Sequence, residues 1–159
     1  MPEPVLQAWR IDKAKRAKTA FTGEGAALEG GRWNPEGLPI VYLSASLAMA
    51  AMEKLVHLPV PEGLVAHFIR FQVTFSPSLV EMLRKLPDDW DSKPVPASTQ
   101  RIGARWLQDR RSAVLAVPSA IIPAERNYLL NPLHPDFRKI RIGRPEAFAF
   151  DSRLLRGGS

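Results

Sequence analysis

The chain has 159 residues, no cysteine, and 22 lysines and arginines against 16 aspartates and glutamates, a formal charge of +6. That length suits one domain burying about two thirds of the surface its unfolded chain exposes, and the lack of cysteine excludes disulfides, thiolate metal sites and thiol catalysis. No apolar run approaches the roughly 20 residues of a bilayer span and no leader-like core opens the chain, so a cytoplasmic protein with no membrane role is expected.

The positive charge admits nucleic acid as a partner, because lysine and arginine gain by displacing counterions from phosphates. Outside Lys13 to Lys18 the charges are dispersed, with no interleaved aromatics for base stacking. A phosphate-bearing small molecule or an acidic protein fits better, with a basic RNA-binding or RNA-cleaving module as the alternative.

In chain order, Trp9-Arg10-Ile11 starts a strand, and a basic run leads into glycine-punctuated sequence up to Gly31. Those glycines predict a loop that turns sharply or approaches something closely. It carries Arg32, and Arg10 is either a surface cation or a second cation pointing into the same site. Pro39 to Ser44 reads as a strand with Tyr42 on one face and Val41 and Leu43 on the other.

Ser44 or Ser46 can cap the next helix, which runs from Leu47 through Glu53 toward His57, apolar on nearly all sides, and stops before Pro59. Such a helix is expected to be buried. Glu53 then either finds the one wet face as an ordinary surface carboxylate or is held by partners in a polar cavity. His57, His67 and His134 lack zinc-ligand spacing.

Leu64 to Thr74 reads as a long strand, and Leu79 to Lys85 as a short helix-like piece. The proline-rich, acidic loop from Pro87 to Pro96 is either a binding lid or a surface excursion. Ser98 or Thr99 can cap a helix in which Trp106 is core. Ser112 to Val117 is a buried strand, and Ser119 just beyond it is either a turn-stabilising or a functional serine. Asn127 and Asn131 bracket another short strand, and the prolines after it present His134 and Asp136 in turn chemistry. Ile140 to Ile142 and Ala147 to Phe150 close the fold, followed by a frayed tail from Arg153.

Taken together, Gly30-Gly31-Arg32-Trp33-Asn34, Tyr42-Leu43-Ser44, Glu53, Val117-Pro118-Ser119 and the run from Glu125 to Phe137 closely resemble the RES domain family, the toxins of RES-Xre toxin-antitoxin systems. The resemblance spans nearly the whole chain. It implies a single α/β (α+β) domain over residues 1–159 with a central mixed β-sheet flanked by helices, similar to the ADP-ribosyltransferase toxins. It also implies an enzyme that consumes NAD+ as substrate, with water or inorganic phosphate as acceptor, and no prosthetic group or metal. A mono-ADP-ribosyltransferase acting on a cellular protein is the alternative activity.

Matched to the family, Arg32, Glu53 and Ser119 are the expected catalytic residues. Arg10, Tyr42, Ser44, Asn131 and His134 are the expected substrate-binding ones, with Asn131 and His134 either contacting ligand or shaping the pocket. The implied partner is an Xre-type helix-turn-helix antitoxin, which would link the protein to nucleic acid indirectly and could present an acidic segment to Arg32 and Arg10.

Overall fold

Eight strands form one mixed sheet in the order β4-β5-β6-β2-β1-β3-β7, with β8 pairing β3 beside β7. The computed structural model describes residues 4–58 and 66–155. The strands are β1 (Leu6–Lys13), β2 (Val41–Ser44), β3 (Phe68–Phe75), β4 (Val80–Met82), β5 (Val114–Pro118), β6 (Arg126–Leu130), β7 (Arg141–Ile142) and β8 (Glu146–Phe148). Among the described residues, helices α1 (Glu24–Glu29), α2 (Leu47–Leu55) and α3 (Ala97–Gln108) accompany it with short 3-10 turns.

Alternation along the strands sorts the core into layers, because successive side chains leave opposite faces of a sheet. Val41, Leu43, Val73 and Tyr128 join the largest apolar cluster, whereas Tyr42 packs on a second cluster of Trp33, Trp106, Leu115 and Leu129. Trp106 is fully buried, as the sequence predicts. A third cluster joins Ile11 of β1 to Ala50 of α2, so α2 lies against β1.

Ser46 caps α2, its hydroxyl accepting from the Met49 amide at 3.0 Å. The helix is less buried than its composition suggests: Met49 and Ala50 face inward, while Met52 is 38% exposed. One side of α2 meets the sheet, and the other remains at the surface.

Several local expectations give way to long-range pairing. The segment expected to be helical from Leu79 is a 3-10 turn followed by β4, whose three residues pair in parallel with Val114 to Ala116 of β5. Helix α1 lies inside the stretch expected to be loop, between Gly23 and Gly30, both with left-handed φ. Neither Ser98 nor Thr99 caps α3. It starts after Pro96, and the Ser98 hydroxyl bonds instead to Asp89. β3 begins at Phe68, and the expected strand positions Leu64 and Val65 lie outside the described residues.

Candidate active site

Helix α2 delivers Glu53 to the end of the sheet where β5, β6 and β2 lie side by side. The Ser119 hydroxyl, one residue past β5, donates to Glu53 Oε1 at 2.7 Å, and the Asn127 amide on β6 donates to the same oxygen at 2.8 Å. Behind them Ser44 donates to Asn127 Oδ1 at 2.8 Å, and Ser44 and Asn127 are direct cross-strand partners. Ser119 is 0% exposed and accepts from the backbone amides of Ile121 and Ile122.

A carboxylate reached by two donors on one oxygen is fixed in orientation. Among the described residues Glu53 Oε2 has no hydrogen-bond partner. The arrangement leaves one carboxylate oxygen held and one available. Asn127 belongs to this group, although the local sequence marks it only as a bracket of a short strand. The available signal is an asparagine directly before the buried run Tyr128 to Leu130.

Arg10 crosses the seam between β1 and β2, where Trp9 stands opposite Ser44. Its Nη1 donates to the Tyr42 carbonyl at 3.0 Å and its Nη2 meets Asp12 at 3.2 Å, while its buried Nε has no partner among the described residues. Burial pulls the Arg10 guanidinium below its usual pKa, with Asp12 pulling it back up and Arg16 lowering it further. Lys54 is 3.9 Å from the same carboxylate and is likewise lowered by burial, Asp12 opposing the shift. Cationic groups thus crowd one aspartate, an environment that favours an added anion.

The glycine loop around Arg32 is tethered at several points, in keeping with the close approach its glycines predict. Gly31 exchanges backbone hydrogen bonds with Asn34, and Gln100 of α3 donates to the Gly31 carbonyl. The Tyr42 hydroxyl donates to Asn34 Oδ1 and accepts from the Trp33 amide. Fully buried Asn34 in turn donates to the carbonyls of Ala26, Pro35 and Leu38. Arg32 Nη1 donates to the carbonyls of Trp90 and Ser92, so the Pro87 to Pro96 loop is tied to this arginine.

Burial drives the Tyr42 phenol above its ordinary pKa. The unfolded phenol ionises above about pH 10 while the folded one keeps its proton, so stability falls as pH rises past that value. Thermal melts at pH 9 and 11 should show a larger loss for wild type than for Tyr42→Phe, which lacks the group; an equal loss would overturn this.

Asn131 and His134 stand at the opposite end of β6 from Asn127. Asn131 donates to the Leu107 carbonyl and accepts from the Leu133 amide. His134 Nδ1 accepts from the Asp136 amide, and its Nε2 meets the Arg110 carbonyl. Thus Glu53, Ser119 and Ser44 come together with Arg10 and Tyr42 nearby, whereas Asn131 and His134 serve turns elsewhere. Among the described residues no group of acidic residues and histidines is arranged to hold a metal ion, and no helix is long and apolar enough to cross a membrane.

A family model described as "RES domain" matches residues 7–151. A protein named Toxin Res from Yersinia enterocolitica is 38% identical over 152 residues, covering 94% of this chain and 99% of that protein. One named Prs ADP-ribosylating toxin from a Sphingobium species is 37% identical over 155 residues, covering 93% and 96%. A chain of the M. tuberculosis MbcT-MbcA toxin-antitoxin complex superposes with a TM-score of 0.73 at 19% identity, covering 92% of this chain and 86% of that one.

Proposed function

The chain belongs to the RES domain family, and from that premise we propose that it is the toxin of a toxin-antitoxin pair and cleaves the bond between nicotinamide and ribose in NAD+. The observation that carries this reading is the half-held Glu53, with Oε1 fixed by Ser119 and Asn127 and Oε2 without a partner among the described residues.

Cleavage of that bond develops positive charge on the ribose ring, so a fixed carboxylate stabilises the transition state more than the ground state. Oε2 is the atom that accepts from a ribose hydroxyl. Nicotinamide takes the bond's electron pair and leaves as a neutral molecule, so the site needs no strong general acid. The acceptor, water or phosphate, forms the new bond to the anomeric carbon and gives up its proton.

In this reading Arg32 meets a phosphate group through the nitrogens it does not give to the loop carbonyls. Arg10, whose Nε is buried without a partner among the described residues, adds positive charge behind the site and reaches the phosphate only by turning outward. Forked guanidinium bonds suit phosphate geometry in a way a lysine cannot reproduce. NAD+ is a substrate in this reading, and the antitoxin is the protein partner.

Purified protein incubated with NAD+, with and without phosphate, is expected to release nicotinamide, leaving ADP-ribose or its 1-phosphate according to the acceptor. Release no faster than in buffer under both conditions would overturn the reading. A second reading, transfer of ADP-ribose to a cellular protein, is favoured by the name of the Sphingobium relative. Labelled NAD+ in lysate separates the two, because transfer leaves label on protein.

A further inference from the structure

Trp9 stands opposite Ser44 across the β1–β2 seam, so their side chains share one face of the sheet. Through Ser44 and Asn127 that face leads to Glu53. On its other side Trp9 borders a cavity of about 250 Å³ lined by Trp9, Arg70, Gln72, Gly143, Arg144 and Glu146. None of these is used in the reaction described above except as neighbours.

The cavity is charged and partly rigid. The Arg70 guanidinium lies 5.6 Å from the Trp9 ring centroid and 2.8 Å from Glu146, its cross-strand partner on β8. Gly143 lies against β3, its amide 2.8 Å from the Gln72 carbonyl, and a Cβ there would come within 2.9 Å of that oxygen. This close approach sets the next residue, Arg144, at the cavity wall. Arg144 is exposed and has no hydrogen bond or ion pair among the described residues. One guanidinium is therefore positioned in advance and a second is uncommitted, with the Glu146 carboxylate paired to the first.

We propose that this cavity is a subsite for a phosphate-bearing anion, bound by Arg144 and by Arg70 as it exchanges part of its contact with Glu146. Arginine forks match phosphate oxygens, and the indole face keeps Arg70 directed inward. The volume suits one phosphate group with a few waters or a ribose phosphate, and is too small for a whole dinucleotide. The anion is inorganic phosphate acting as acceptor or a phosphate group of the nucleotide substrate. Its place in a reaction rests on the NAD+ reading, but binding does not.

Indole-15N-labelled protein titrated with inorganic phosphate, and separately with AMP, at constant ionic strength set by chloride, tests the binding. A saturable shift of the Trp9 indole signal is expected with at least one of them. It should weaken at least fivefold in Arg144→Gln, whose exposed side chain makes no hydrogen bond or ion pair among the described residues, and persist in Arg101→Gln, an exposed arginine on α3. No saturable shift with either anion, or an unchanged one in Arg144→Gln, overturns the proposal.

Nicotinamide-release kinetics then distinguish the sources. A KM rise of fivefold or more in Arg144→Gln for phosphate alone marks an acceptor subsite; the same rise for NAD+ alone marks a substrate phosphate. Unchanged values for both overturn the assignment to this reaction. If wild type releases no nicotinamide, the NAD+ reading fails while the titration still decides whether the cavity binds phosphate.

Discussion

Glu53→Gln should slow nicotinamide release by about 10²- to 10³-fold, the usual effect of removing one preorganised electrostatic group from a transition state. The substitution is close to isosteric, and its carbonyl oxygen can take the Oε1 position and still accept from Ser119 and Asn127. The amide nitrogen then replaces Oε2, so the negative charge and the open acceptor vanish together while the surrounding contacts survive. Melting temperature should hold within a few degrees. Glu53→Ala is a poorer probe, because it strands the buried Ser119 hydroxyl, at about 1–3 kcal/mol, and also frees the half-buried Asn127 amide. Retention of a third or more of wild-type turnover by Glu53→Gln, with folding intact, would remove Glu53 from the chemistry.

The largest stability loss is expected from Gly103→Ala. Helix α3 crosses the tethered loop so closely that a Cβ at Gly103 would lie 1.6 Å from the Trp33 carbonyl oxygen and 2.7 Å from its carbon. Neither is the end of a flexible side chain, so backbone must move. Overpacking of this kind costs about 3 kcal/mol or more, well beyond the roughly 1 kcal/mol that alanine gains in helix propensity. At this chain length that corresponds to about 6–12 °C in melting temperature. Displacing α3 also pulls on Gln100 and the Gly31 carbonyl, so activity should fall with stability. An unchanged melt would show that the two backbones are not locked together.

Strands carrying their own signal were legible from the sequence: β1, β2 and β5 alternate or run apolar, and the faces assigned to Val41, Tyr42 and Leu43 match the core clusters. What stayed hidden depends on partners remote in sequence. β4 has three residues and exists by parallel pairing with β5, and α1 was masked by the glycines at its ends. Local sequence left Glu53 between a surface carboxylate and a held one. Its two donors lie 66 and 74 residues away, beyond any helical or strand period, so the fold had to bring them together. The resemblance to the RES domain family named Ser119 but gave no role to Asn127 or Asn34, whose contacts emerge only in three dimensions.

Ser119 has a stereochemical consequence. Two amides donate to its oxygen and its proton points at Glu53, so its lone pairs and its hydrogen are all committed within a fully buried turn. Such an oxygen has nothing left to offer an electrophilic carbon, and the ribose cannot pass through a serine-linked intermediate. Under the proposed reaction, acceptor attack on the face opposite nicotinamide inverts the anomeric centre, whereas attack on the vacated face, with or without transient capture by Glu53 Oε2, preserves it. The α or β configuration of the first sugar product therefore records which face of the ribose the acceptor reached.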